Sequence, residues 1–570
     1  MKGFGSVLKL LIKNMFKRSK SERRNVRIFT GIALAVVYVF LMVSLITSAV
    51  SLAPAVREAG CAADVITMLF TLAVLVMLFF GIPMILSWLY FSRDTEFFLS
   101  LPISSSTVYF AKITMIYLSM LVVEAALLLP TLIVFGALVG MNALYYVIML
   151  IGVAFLPVVP LVLASIIAMP LMFVVGAFKN RGALSSIVMI VMFLLFFGGY
   201  YALIYALGFG AATGGEETGA VDFTQILLGN KDALRLMSDI LLPLSSIARL
   251  ATLTPVYGLG VGLSALANAG IYVGITAALL AVALLASSSF YKHSVMVMLE
   301  GSRGKDNKAR EFKASGGVVK ALIGKEWKQL VRTPQFALNC FLSVFMPVII
   351  IVFMNLTMNS SLSGEDETTK QIVRSMVAII DVIMIMMIGV GLNMGASTCI
   401  TREGEAFAFS KSLPVDATTH IKAKRILYLG ISYASVALGL IAALIFAPDW
   451  SLLSGLLLLI PYNYIFVTLA IYLDLTSPNL KWTTPQEAMK RNVRGMVPFL
   501  INMFVSMVIM AILLVTRMLL VDCPEEYLLT FTLIHFGAWI VLIGVSVVVA
   551  VLMHGMLKVR AAKLYDRLEV

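Results

Sequence analysis

Apolar residues run along this chain in long stretches, with the polar positions gathered in short clusters between them. A hydrocarbon core about 30 Å thick takes about 20 apolar residues per helix, and twelve stretches meet that length. In the first half they cover approximately 28–52, 65–90, 113–138, 145–175, 183–210 and 264–289. In the second half they cover 338–357, 376–400, 426–447, 452–473, 496–516 and 527–556. The pattern predicts an all-α polytopic membrane protein with about 12 transmembrane helices.

The polar clusters carry a repeat. Ser92-Arg93-Asp94-Thr95-Glu96-Phe97-Phe98, then Ser100-Leu101-Pro102-Ile103 and Ala111-Lys112, returns as Thr401-Arg402-Glu403-Gly404-Glu405-Ala406-Phe407, then Ser412-Leu413-Pro414-Val415 and Ala423-Lys424. A second repeat precedes each half. Residues 7–17 place Lys9, Lys13 and Lys17 on one stripe of an apolar helix, and residues 318–328 do the same with Lys320 and Lys328, Trp327 standing where the first copy has Phe16. Such helices are expected to lie in the membrane interface. Each half then reads as an interfacial helix followed by six spans. An even number of spans keeps both copies in one orientation, so the chain is expected to be a parallel repeat and pseudo-dimer. The expected divisions are 1–290 for the first half, 291–317 for a polar linker and 318–570 for the second half. The segment 211–263, between the last two spans of the first half, is too apolar for a solvated loop and too broken for a straight span. A re-entrant or surface-lying helical element is expected there.

Composition agrees: 61% of residues are hydrophobic, 13% are charged, and the mean hydropathy is +0.99. The net charge of +13 reports topology. With the N-terminus inside, about 36 of the 43 Lys and Arg fall on the cytoplasmic face, and nucleic acid is not an expected partner. Cys61, Cys340, Cys399 and Cys523 form no metal or CxxC pattern. Cys61 and Cys523 both fall in expected external loops, where thiols and a disulfide are both open. Gly324-Lys325-Glu326 and Gly304-Lys305-Asp306 lack the remaining P-loop positions, and no hydrolytic triad or metal motif is present, so the chain is not expected to be an enzyme. Within the spans, Glu124 is a possible pathway residue, whereas Asp381 is placed near the outer end of its helix with no transport role. Pro157, Pro160 and Pro461 are expected to kink their helices, and the Met run 383–387 to fill helix contacts.

The doubled block, together with Pro478-Asn479-Leu480-Lys481-Trp482 and Ala488-Met489-Lys490-Arg491-Asn492, resembles the membrane subunits of ATP-binding cassette exporters of the type-2, G-like class, in the fused twelve-span form of Gram-positive bacteria. The resemblance implies a permease subunit in a bacterial plasma membrane, with both termini cytoplasmic and an amphipathic or lipid-like cargo such as a peptide, drug or lipid. It implies partner nucleotide-binding ATPase subunits, which would carry the ATP and Mg, so no cofactor is expected on this chain. It places ATPase-docking coupling elements at Arg93, Asp94, Glu96, Phe98 and Pro102, and at Arg402, Glu403, Glu405, Phe407 and Pro414. Two other classes stay open: an ATP-independent secondary transporter or lipid scramblase, and a non-transporting sensor or scaffold.

Overall fold

The computed structural model describes residues 3–15, 24–90, 92, 94–177, 241–254, 260–286, 291–296, 317–362, 366–482, 493–521 and 527–568, with isolated positions at 183–198, 235, 239, 485 and 488. Among these residues the protein is all-α. Ten helical segments are long and apolar enough to cross a membrane. The chain divides into two compact units: 1–23, 31–181 and 203–306 in one, and 24–30, 182–202 and 307–570 in the other. Residues 182–202 come from the first half of the sequence and belong to the second unit, where the Ser186 hydroxyl donates to the Val331 carbonyl at 2.5 Å.

The first unit contains α1 (Phe4–Met15), α2 (Arg24–Ala59, entering it from Gly31), α3 (Ala62–Leu89), α4 (Asp94–Ser100), α5 (Ser105–Val139), α6 (Ala143–Phe155), α7 (Val158–Ala177), α8 (Leu242–Thr252) and α9 (Val261–Ala286). Local chemistry sets the boundaries. Ser104 caps α5 by accepting from the Thr107 amide at 3.3 Å, and Gly140, at φ 83°, ends it in the left-handed conformation open to glycine. The chain then turns into α6 so tightly that Tyr145 rests on Gly136, where any Cβ would collide with the ring. The fourth apolar stretch breaks at Leu156-Pro157, between α6 and α7, as its prolines predict. Phe70, Leu132, Tyr145 and Ile247 centre the core of this unit, and a satellite cluster joins Val7 and Leu11 of α1 to Phe98 of α4 and Val108 of α5.

The second unit contains α10 (Val318–Arg332), α11 (Pro334–Ser361), α12 (Glu367–Met384), α13 (Met394–Ser397), α14 (Phe407–Ser412), α15 (Ala417–Phe446), α16 (Trp450–Thr476), α17 (Val493–Val521) and α18 (Leu528–Asp566). Helix α16 runs through Pro461 without interruption. The main break lies within the Met run: α12 passes into a π-helix over Ile385–Val390 and stops before α13. Side chains add to the backbone pairing here. The Asn502 amide donates to the Met386 and Met387 carbonyls at 3.0 and 3.2 Å, and Tyr462 donates to the Asn502 carbonyl oxygen at 2.8 Å. A cavity of about 90 Å³, lined by Val390, Asn393, Met394, Phe466 and Met496, borders this break.

Part of the 211–263 segment lies outside the described residues, and its described part includes the short helix α8 and the first residues of α9. Lys17, Arg93, Cys523 and Met489–Asn492 are likewise outside them.

Candidate functional site

The second copy of the repeated block is built into a buried charge network. Asp474, near the end of α16, accepts from the Ile400 and Thr401 amides at 2.6 and 3.2 Å and from the Thr401 hydroxyl at 2.6 Å. That carboxylate pins the entry to the block. The loop singled out at 478–482 closes over it: the Asn479 amide donates to the Thr401 hydroxyl at 3.2 Å, and the Trp482 indole to the Thr401 carbonyl at 2.8 Å. Gly404 sits at φ 54°, ψ −134°, and a Cβ there would come within 2.9 Å of the Trp482 ring. Only glycine satisfies both conditions.

Arg402 and Glu403 turn inward from this segment, at 3% and 4% exposure. The Arg402 guanidinium donates to the Gly395 carbonyl at 3.1 Å, to the Thr398 carbonyl at 3.3 Å and to the Tyr428 hydroxyl. It also lies 5.5 Å from the Phe336 ring centroid and 5.2 Å from that of Tyr428. Glu403 pairs with Lys424 at 2.6 Å and Lys325 at 3.4 Å, and accepts from the Ser410 hydroxyl. Lys424 also binds Glu326 and donates to the Cys399 carbonyl at 2.9 Å. Three cations, Lys325, Arg402 and Lys424, thus share one neighbourhood with three carboxylates, Glu326, Glu403 and Asp474. Balanced charge is the condition for ions to be buried together.

The expectation that Arg402 and Glu403 offer charge to a partner is therefore corrected: their hydrogen-bonding capacity is used internally. Phe98 and Phe407 are corrected in the same way. At 2% and 0% exposure they anchor the block to its own unit, Phe98 against α1 and Phe407 against Tyr565 of α18, with ring centroids 5.2 Å apart. The members that do face outward are Glu405, Pro102 and Pro414, together with Phe97 at 59% exposure and Phe409 at 65%. Asp94 is half-buried, and neither Arg93 nor the Glu96 side chain is among the described residues.

Lys424, Glu326, Lys325, Tyr428 and Asp474 were not identified as site residues from sequence. One signal was available: each copy keeps an Ala-Lys step at a set distance past Leu-Pro, inside an apolar helix where a lysine needs a partner. In the first copy Lys112 is also fully buried, donates to the Trp88 carbonyl at 2.8 Å and interacts electrostatically with Asp94. Aligning Lys9 with Lys320 puts Met15 where the second half has Glu326, so the first interfacial helix supplies no carboxylate at that position. On the interfacial helices Lys9, Lys13, Lys320 and Lys328 are exposed, Trp327 is 42% exposed, and Val7, Leu11, Leu322 and Leu330 point inward.

The intramembrane carboxylates differ from each other. Asp381 is fully buried and accepts from the Asn355 amide at 2.9 Å. Glu124 lies near the middle of α5 at 5% exposure, and neither carboxyl oxygen has a hydrogen-bond partner. His535 packs in a bonded cluster with Thr516 and Trp539, at 2.9 and 3.3 Å. Cys61 is buried. Among the described residues no group of three or more His, Cys, Asp or Glu is placed to hold a metal ion.

Comparison with known proteins supplies one match. A family model described as a membrane protein of 12 TMs aligns with residues 23–558. No curated protein and no solved structure matches the chain significantly. With nearly the whole apolar chain covered and the described residues folded as long apolar helices, this protein belongs to that family of twelve-span membrane proteins.

Proposed function

We propose that this chain is the permease subunit of an ATP-driven exporter of the type-2 ATP-binding cassette class, which moves an amphipathic or lipid-like substrate across a bacterial plasma membrane. Its two repeated blocks face the cytoplasm and seat separate nucleotide-binding subunits, which bind ATP and Mg and hydrolyse the nucleotide. The observation that carries this reading is the sequence Phe-x-x-Ser-Leu-Pro, present as Phe97–Pro102 and again as Phe409–Pro414. In both copies the phenylalanine projects from a short helix, 59% and 65% exposed, and the serine three residues on donates to that phenylalanine's carbonyl, at 2.8 and 2.9 Å. An exposed aromatic held on an ordered turn is the kind of side chain that anchors an interface, and duplication suits a partner that binds once per half.

The charge network supports the same reading from the inside. A docking element has to transmit displacement, and in the second half Glu403, Lys424 and Glu326 tie the block to the interfacial helix α10 and to α15. The interfacial helix, the block and a membrane helix would then move as one body.

The test is co-purification of the tagged chain with its ATPase subunits, followed by ATP-dependent efflux in vesicles. Phe97→Ala combined with Phe409→Ala is expected to abolish both, while thermal unfolding stays unchanged because both rings are exposed. Efflux that persists in the double variant, or that runs without ATP, overturns the proposal; ATP-independent efflux lost in Glu124→Gln would establish a secondary transporter instead.

A further inference from the structure

Helix α9 is inverted relative to a helix of a water-soluble protein. Its exposed face is apolar, with Leu263, Leu266, Val273, Leu280 and Leu285 all outward. Its buried face is polar: Ser264, Asn268, Tyr272 and Thr276 recur every fourth residue and are all at least nine-tenths buried. Spacing of four aligns side chains along one helix face. This stripe therefore looks into the first unit rather than toward lipid.

Most buried hydroxyls in this unit are satisfied by their own helices. Thr67, Thr71, Thr131 and Thr276 each donate to the carbonyl four residues back, at 2.7 to 3.0 Å. Besides the Ser92 hydroxyl, three side chains depart from that habit. The Tyr272 hydroxyl, both polar atoms of Asn268 and both carboxyl oxygens of Glu124 are buried without a hydrogen-bond partner. Asn268 and Tyr272 are one turn apart on α9, Glu124 and Leu128 are one turn apart on α5, and Leu128 and Tyr272 belong to the same core cluster. Tyr117 shares one face with Glu124 on α5, but its hydroxyl is committed to the Ala154 carbonyl at 2.6 Å. Burying unpaired polar atoms is unfavourable, and an intramembrane carboxylate without a cation more so. A bound ligand lowers that cost for the acceptor oxygens of Glu124, Asn268 and Tyr272 if it brings positive charge and hydrogen-bond donors.

We infer that Glu124, Asn268 and Tyr272 form a binding site for the primary ammonium group of an amphipathic molecule. Glu124 supplies the counter-charge, and the Asn268 carbonyl and Tyr272 hydroxyl oxygens accept the remaining ammonium protons, three acceptors for three donors. The apolar core beside them, including Leu128 and Leu129, receives the alkyl part. This deepens the export reading by naming its substrate class, and it rests on that reading for transport alone, not for binding.

The experiment uses the full chain in phosphatidylcholine nanodiscs, a bilayer with no primary ammonium, titrated with a fluorescent long-chain primary amine and with the matching alcohol. Saturable amine binding absent with the alcohol is expected, weakened about tenfold or more in Glu124→Gln. Phosphatidylethanolamine is then added to the bilayer. Competition identifies a lipid headgroup as the occupant, and unchanged affinity identifies a free amine; either result supports the site. Equal amine binding by wild type and Glu124→Gln overturns it, as does equal binding of amine and alcohol. Should Glu124→Gln not yield monodisperse protein, Tyr272→Phe carries the test, and wild-type affinity there overturns the site. The assay contains no ATPase, so its failure leaves the partner-driven reading standing, and failed ATPase co-purification leaves this site standing.

Discussion

Lys424 shows what one residue does in this protein. It is 1% exposed and bound to two carboxylates, Glu326 and Glu403. Removing its charge leaves both acids buried with their main counter-ion gone. Lys424→Met is therefore expected to destabilise the second unit by about 3–5 kcal/mol, read as a lowered Tm in detergent; an unchanged Tm would refute the network. Gly404→Ala tests the same region through the backbone. Its φ of 54° with ψ −134° and the Trp482 ring leave no room for a methyl, so a loss of about 1–3 kcal/mol is expected by the same measurement. Sequence showed a repeated Arg-acid pair but not which way it points. Whether a charge faces water or another charge depends on residues far along the chain: Glu326 lies 98 positions from Lys424.

At the scale of elements, the α12 break is the informative case. The run of Ile and Met gives way to Gly389 and Gly391, which weaken a helix without specifying a π-helix. The break is stabilised from α17, where Asn502 holds the Met386 and Met387 carbonyls. Asn502→Leu removes the side-chain donor to both carbonyls and should raise hydrogen–deuterium exchange through residues 385–394; unaltered exchange would show that the break does not depend on Asn502. Elsewhere the elements were legible. The α6–α7 break follows its proline, α5 starts at the Ser104 cap just after Leu-Pro, and Lys9, Lys13, Lys320 and Lys328 of the interfacial helices are exposed.

For the whole molecule, the repeat predicts that both blocks face the same side of the membrane. Phe97→Cys and Phe409→Cys, each placed in a background lacking the four native cysteines, should react with a membrane-impermeant thiol reagent only after cells are permeabilised. Labelling of one before permeabilisation and the other only after it would refute a parallel repeat. The halves also differ. The second interfacial helix contributes Glu326 to a buried ion network, and the first has Met15 at the matching position. Single Phe→Ala variants at 97 and 409 therefore compare a block tied to its interfacial helix by ion pairs with one held there by apolar packing.

Sequence by itself determined that this protein is all-helical and membrane-spanning, with the same polar block written into both halves, because the thickness of a bilayer and its intolerance of unpaired backbone translate directly into runs of apolar residues. Only the tertiary structure decided which residues of those blocks are available. It turned Arg402, Glu403, Phe98 and Phe407 inward and left Phe97 and Phe409 outside, and it buried Glu124, Asn268 and Tyr272 of one unit with unpaired polar atoms. The physical reason is that apolar spans specify their length far more strongly than their rotation. The face a side chain occupies is settled by the polar partners that distant helices bring to it.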